Sequence, residues 1–590
     1  MPSPPDFSAT APHDQVFARI AREIDPADPL AERLHAVVNA ARARMGQPMR
    51  VAVAGQIKRG KSTLVNALLG EEVSDTGQLE LTFNVCEFHH SAHPRLTVHF
   101  KDGRTPEEWP PDALSRLTVR SRDGLGLLRA VRKVEVGRPS PLLRRFRVVD
   151  TPGLGSVHGT DAENTLAFLG IDDPAERTEA ARVLAELGQD ARSVHAESAA
   201  EMDRADAVVF VFSRGLGRAD QQAVDSFAGS YGEVVSPLKA FGVLSRSDQY
   251  WPPVGETGRD GMPLEPAGYL TYDPMATARR IAESYGERPL VRRVFRTIVP
   301  VAGLLGVGAQ CLPGDGFGPL ADLAEVEPRL LAERMEDVHL FCVRDHPDLP
   351  VPAEVRASLV GRLGAWGVFL ACGYLREGLA EAEVRRRLLE HSGVTELRGL
   401  VLRHFGNRSA LIKLDHGQRE IADEVARLRA TAQRAGRRPP RVADRVAGLL
   451  ESARISDPGP SELAALGAHY RGRLNLTAPE EAQLLAVTGE RGPGCAARLG
   501  LPPDTPVDVL LSTARARAAH WAARAGDPLL DRPTLTVARV VLRSYERVAD
   551  LVDRARVLLY GDRDDGDGGR DGGDDDGNDP IGLDGERSAP

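Results

Sequence analysis

Hydrophobic positions along the chain follow two regimes that change over near residue 310. Between Val16 and Met45, Ile20, Ile24, Leu30, Leu34, Val37 and Val38 recur at helical spacing, with a break around Pro26 and Pro29. Residues 49–56 form a short apolar run that stops at a glycine, and 61–69 return to helical spacing. Strand, loop and helix in that order predict the start of an α/β unit. Further strand-like runs lie at 84–90, 95–100, 131–136, 146–150, 207–213, 240–244 and 295–301, with helical stretches such as 219–231 and 274–286 between them. The alternation predicts a mostly parallel sheet with helices on both faces. From 319 to 560 helix follows helix, including 352–380, 383–405, 407–436 and 533–559. The pattern divides the chain into a helical segment that joins a stalk (1–48), an α/β domain (49–310), a helical stalk-like region (311–440), a second helical region (441–560) and a tail (561–590).

Composition changes this picture in two places. At 590 residues the chain is too long for one core, and with aromatics at 5% its cores must rest on Leu, Val and Ala. The formal net charge of -9 is concentrated in the tail, where 561–590 hold ten Asp and one Glu against three Arg. A Gly- and Asp-rich tail with almost no apolar content is expected to be disordered. The body is close to neutral, so nucleic-acid binding is not expected. Five scattered cysteines (Cys86, Cys311, Cys342, Cys372, Cys495) form no CxxC or Cys/His cluster, which argues against disulfides and zinc and fits a reducing cytoplasm. Residues 1–12 lack the basic and apolar segments of a signal peptide. The longest apolar run, Leu359 to Leu375, contains Arg362 and is apolar all round, with Trp366, Phe369 and Tyr374. It reads as a buried stalk helix, and any membrane action is expected from the surface.

The chemistry is concentrated in a few loops. Gly55, Gln56, Ile57, Lys58, Arg59, Gly60, Lys61 and Ser62 make a full GxxxxGK[ST] match between a predicted strand and a predicted helix, followed by Thr63. Glycines let backbone amides wrap a triphosphate, Lys61 places a point charge on the β and γ phosphates, and Ser62 offers a hydroxyl to Mg²⁺. The chain has only six lysines (58, 61, 101, 133, 239, 413), and two of them sit in this loop. A compact ammonium there is not replaceable by the planar fork of arginine.

Two further loops choose the class. The strand from Arg147 ends at Asp150, with Thr151, Pro152 and Gly153 after it. Asp150 can support the Mg²⁺ shell through water, and the Gly153 amide can meet the γ-phosphate. The strand 207–213 ends without the Asp-Glu pair of many ATPases, which counts against that class. The strand from Phe241 runs into Ser245, Arg246, Ser247 and Asp248. A carboxylate at 248 accepts from guanine N1–H and the exocyclic amine, a pattern adenine cannot supply. Ser245 and Arg246 depart from the usual Asn/Thr-Lys pair, yet a small hydroxyl and a stem able to cover the purine suit the position. Ile298 to Leu304 falls where a fifth guanine-binding loop is due.

Residues 55–70, Asp150 to Ser156, the long insert to 206 and Pro300 to Gly303 together resemble the bacterial dynamin-like GTPases. Leu363 to Gly367, Ser392 to Leu397 and His404-Phe405 resemble the actinobacterial branch that includes the isoniazid-inducible mycobacterial proteins. The resemblance spans roughly 45–415 and implies a dynamin-type GTPase domain over 49–310, using GTP and Mg²⁺. It also implies a helical stalk, self-association through both parts, a possible dynamin-like partner, and action at the inner face of the cytoplasmic membrane. It calls for a threonine that caps Mg²⁺ and the catalytic water; Thr76 and Thr82 compete, and Thr82 fits better. It points to Lys58 as a stand-in for the monovalent cation that such proteins hold beside the P-loop, with a solvated side chain or a dimer contact as the equal alternative. The expected function is a membrane-remodelling or tethering GTPase, with Lys58, Lys61 and Thr82 in catalysis. The alternatives are a GTP-controlled scaffold, for instance at cell division, that does not remodel lipid, and a slow structural nucleotide binder.

Overall fold

A computed structural model describes residues 11–25, 31–55, 59–73, 85–114, 117, 130–151, 204–212, 236–254 and 265–560. Its centre is one sheet of nine strands, β1 (Met49–Gly55), β2 (Val85–His90), β3 (Arg95–Phe100), β4 (Glu107–Trp109), β5 (Val131–Arg138), β6 (Phe146–Asp150), β7 (Ala207–Phe212), β8 (Ala240–Ser245) and β9 (Ile298–Val301). The order is β4-β3-β5-β2-β6-β1-β7-β8-β9. From β6 through β9 all neighbours run parallel. Beyond β6 the sheet turns mixed: β2 is antiparallel to β6, and β3 is antiparallel to β5 and β4. The sheet is therefore mostly parallel, as expected, with an antiparallel outer portion. Strand β4 was not foreseen, because two glutamates and a tryptophan at a sheet edge show no apolar alternation.

Alternation sorts the central strands onto two cores. Val51 and Val53 of β1 and Val209 and Val211 of β7 join the cluster that includes Leu64, Val65 and Leu68 of the helix Lys61–Leu69. Ala52 and Ala54, with Val208, Phe210 and Phe212, face Ala278 and Ala282 of the helix Pro274–Gly286 on the other side. Helices far down the chain return to the first core: Val394, Leu397, Val401, Phe405, Ile412, Leu463 and Leu466 all belong to it. The expected single helix over 383–405 is two, Glu381–His391 and Val394–Val401. The break is at Gly393, where φ is 75° and an added Cβ would meet the Pro300 carbonyl oxygen at 2.4 Å.

The first helices, Ala11–Arg22 and Glu32–Met45, bury Phe17, Ile20, Leu34 and Val38 against Leu414, Ile421, Val442 and Val446. Farther on, the helices Val507–Ala525 and Arg532–Tyr560 pack together around Trp521 and Tyr545. The helix Ala353–Arg376 is long and apolar enough to cross a membrane, but it buries Leu359, Leu363, Trp366 and Val368 in a core of helices. Its φ/ψ leaves the helical region at Gly364.

Glu87 on β2 ties four strands together. Its carboxylate lies 2.9 Å from Arg50 on β1, 2.9 Å from Arg147 on β6 and 2.7 Å from Lys133 on β5. Burial alone would raise its pKa, but Arg50, Lys133 and Arg147 outweigh burial and hold it at about 2. A pKa depressed by folding stabilises the protein above the unfolded value of 4.5, and that contribution is lost as pH falls toward 2. Glu87→Gln leaves three cations facing a neutral amide and is expected to destabilise the fold by about 2 kcal/mol at pH 7. Denaturant melts of the two proteins should converge as pH is lowered through 4 toward 2; a difference that persists there would show that charge is not the cause.

Candidate nucleotide site

The C-terminal ends of β1, β6, β7 and β8 lie side by side, and in parallel sheets ligands bind in the crevice outside such ends. Backbone geometry at the β1 exit requires glycine. Gly55 has φ 140°, and a Cβ there would lie 2.4 Å from the Val211 carbonyl oxygen. Gly60 sits at φ 86° as the residue before the helix Lys61–Leu69. That left-handed turn releases the helix with its first amides facing the crevice, a geometry suited to phosphate.

Lys61, at the helix start, is 7% exposed. Burial pulls its pKa down to about 8, against the attraction of Asp150. Asp150 closes β6 and pairs in register with Val53. Burial lifts its carboxyl to about 6, opposed by Lys61 and by the Ser62 hydroxyl, which donates to Oδ2 at 2.9 Å. The other oxygen, Oδ1, is buried without a hydrogen-bond partner among the described residues. Thr151 fixes the chain beyond it, its hydroxyl donating to the Val53 carbonyl at 2.9 Å.

This donor set fits Mg²⁺. A buried carboxylate oxygen without a donor, next to a hydroxyl, suits the water shell of a hard cation. Among the described residues no group of three or more His, Cys, Asp or Glu could hold a metal alone. An ion here would therefore take most of its ligands from phosphate and water, which is how Mg²⁺ is held with nucleotides.

The candidate base-reading residues Ser245, Arg246 and Asp248 lie at the end of β8 and just after it. Ser245 is buried, and its Oγ lies 2.6 Å from the carbonyl oxygens of both Arg59 and Phe212, sharing one hydrogen between them. The hydroxyl thus joins the end of β8 to the loop after β1 and is turned into the protein. Arg246 adopts φ 57°, the one positive φ outside glycine among the described residues. Such backbone is unfavourable for arginine and is concentrated at functional loops. It turns the chain into the short helix Ser247–Tyr250, where Asp248 is 7% exposed and Ser247 donates to the Leu244 carbonyl at 2.8 Å. Gly303, after β9, packs close to Thr63, with 3.3 Å between an added Cβ and Thr63 Cγ2. The structure therefore brings Gly55, Arg59, Gly60, Lys61, Ser62, Thr63, Asp150, Ser245, Arg246 and Asp248 to one edge of the sheet. Gln56, Ile57, Lys58, Thr76, Thr82 and Gly153 lie outside the described residues.

Two residues that the motifs did not flag also shape the site. Cys86 on β2 sits in register with Asp150, and burial, then the Asp150 charge, push its thiol far up, so it is an inert neighbour. Trp251, just past the short helix Ser247–Tyr250, stacks on Phe369 of the helix Ala353–Arg376, and only the tertiary fold brings these together.

A family model described as the Dynamin family matches residues 51–213. The isoniazid-induced protein IniC of Mycobacterium tuberculosis is 31% identical over 511 residues, covering 85% of this chain and 90% of its own length. The chain belongs to the dynamin family. IniA of the same organism is 37% identical over 135 residues, 22% of this chain and 21% of its own length. A solved oligomerised bacterial dynamin pair, described as a mechanism for long-range sensing and tethering of membranes, aligns with 94% of this chain and 79% of its own. That alignment has 12% identity and a TM-score of 0.29, too loose a likeness to fix any arrangement of parts.

For this dynamin-family chain, the Ser62–Asp150 contact makes a specific expectation. Ser62→Ala should raise the Mg²⁺ concentration needed for half-maximal nucleotide binding by about tenfold or more, with metal-free binding little changed. Titrating Mg²⁺ against a fluorescent guanine nucleotide measures this. An unchanged Mg²⁺ midpoint would remove Ser62 from the metal site.

Proposed function

We propose that this chain binds and hydrolyses GTP and couples that cycle to self-association at a membrane surface. The observation that carries this reading is the buried Lys61 and Asp150, with the half-buried Ser62 bonded to Asp150, at one side of the sheet and Asp248 on a neighbouring loop. Lys61 opposes the charge of the β and γ phosphates, and its ammonium gains most in a buried site when that charge builds up in the transition state. Ser62 and Asp150 hold and orient the Mg²⁺ shell, and the ion, when bound, neutralises phosphate oxygens. Thr82 completes the metal and water site, and Gly153 meets the γ-phosphate. Lys58 takes the place of a monovalent cation beside the P-loop, so turnover should not require potassium. Arg246 covers the purine with its stem, and Asp248 selects guanine through its edge.

Family membership supports the coarser part of this reading, since dynamins are GTPases. Remodelling or tethering of lipid from the cytoplasmic face, pairing of nucleotide domains and a dynamin-like partner are the finer part, and they extend the family resemblance to this chain. Lys61→Ala tests the nucleotide part: GTP hydrolysis should fall by about a hundredfold or more. Liposome co-sedimentation and tubulation with GTP test the membrane part, with the same variant as control. Binding and tubulation that need both GTP and Lys61 support it. GTP hydrolysis with no lipid response in any nucleotide state would leave a GTP-controlled scaffold in its place.

A further inference from the structure

The base loop is not closed by the nucleotide sheet alone. Trp251, 2% exposed, donates its indole N–H to the Tyr269 carbonyl at 3.2 Å and stacks on Phe369, with ring centroids 4.7 Å apart and planes 29° apart. Phe369 belongs to the helix Ala353–Arg376, whose break lies five residues earlier, at Gly364 (φ 74°, ψ 161°). An L-residue is strongly disfavoured in that conformation. A Cβ built on Gly364 would lie 2.8 Å from Asp248 Oδ2, well inside the 3.4–4 Å of ordinary contact. Asp248 is buried on a short, ordered turn, so its carboxylate has little room to yield. The break also starts the second half of the helix at this point, which sets the positive end of that half nearest the carboxylate.

We infer that Gly364 is a positioning residue for guanine recognition, and that the broken helix is the back wall against which the Asp248 carboxylate is held. The inference rests on Asp248 as the base reader and adds that its aim depends on the helical region. Two bonds to one base edge tolerate little error in the plane of the carboxylate, and a wall of backbone with no side chain sets that plane closely. The Phe369–Trp251 stack keeps the helix and the loop in register. Phosphate contacts at Lys61 belong to other strands and do not depend on this wall. Disturbing the wall should therefore remove base selectivity and leave triphosphate affinity in place.

The test compares dissociation constants of GTP, ATP and XTP for the full chain and its variants, with thermal melts to measure the folded fraction. Asp248→Asn examines the base reading itself, because an amide accepts xanthine in place of guanine. Gly364→Ala should lower the preference for GTP over ATP by about tenfold, with ATP affinity within about twofold of wild type. Loss of folded protein would reduce both nucleotides together and leave the ratio unchanged. Phe369→Ala keeps the glycine and loosens the register, and should lower the ratio in the same direction by about threefold; it decides the matter if Gly364→Ala does not fold. If Asp248→Asn gains XTP while the wall variants keep the wild-type ratio, the inference is overturned and the base reading stands. If Asp248→Asn gains nothing and wild type does not prefer GTP, the base reading fails and the inference goes with it.

Discussion

A lysine ammonium buried beside a carboxylate is the interaction on which the rest of this protein depends. Lys61 and Asp150 are both nearly excluded from water, and burial pushes each toward its neutral form. Asp150 keeps one oxygen without a donor among the described residues. On the proposed reading, triphosphate would supply anions for Lys61 and a divalent cation the positive partner for Asp150. The same logic explains why an arginine-rich chain keeps lysine here: the pocket takes a point charge.

The sheet delivers these groups, and the helices hold them in place. β1, β6 and β8 end on the same side of the sheet, so the loop after β1, Asp150 and the residues after β8 meet there although they are far apart in sequence. Ser245 bonds across the gap between two of the loops. Helices from well beyond the sheet pack against it: Arg398 donates to the carbonyls of Ala67 and Leu68 at the C-terminal end of the helix that begins with Lys61, and Phe369 stacks on Trp251 just past β8.

Most of the fold was legible because it is written in short-range pattern. Fully buried strands such as β7 and β8 read as continuous apolar runs, and the P-loop has its own spacing. The edge strand β4 was invisible because a sheet edge needs no apolar residues. The break at Gly364 lay inside a run that reads as one unbroken apolar helix, and only a neighbour distant in sequence, Asp248, explains why a side chain is excluded there. The Ser245 hydroxyl lies within bonding distance of two backbone carbonyls, one of them in the loop after β1. Contacts of that kind depend on which strands become neighbours, which periodicity does not encode.

The most direct measurement is calorimetric titration of the wild-type chain with GTP and with ATP in the presence of Mg²⁺. One GTP site per chain, with ATP weaker by about tenfold or more, is expected from a buried ammonium paired with a guanine-reading carboxylate. Equal affinity for the two nucleotides, or no binding of either, would contradict it.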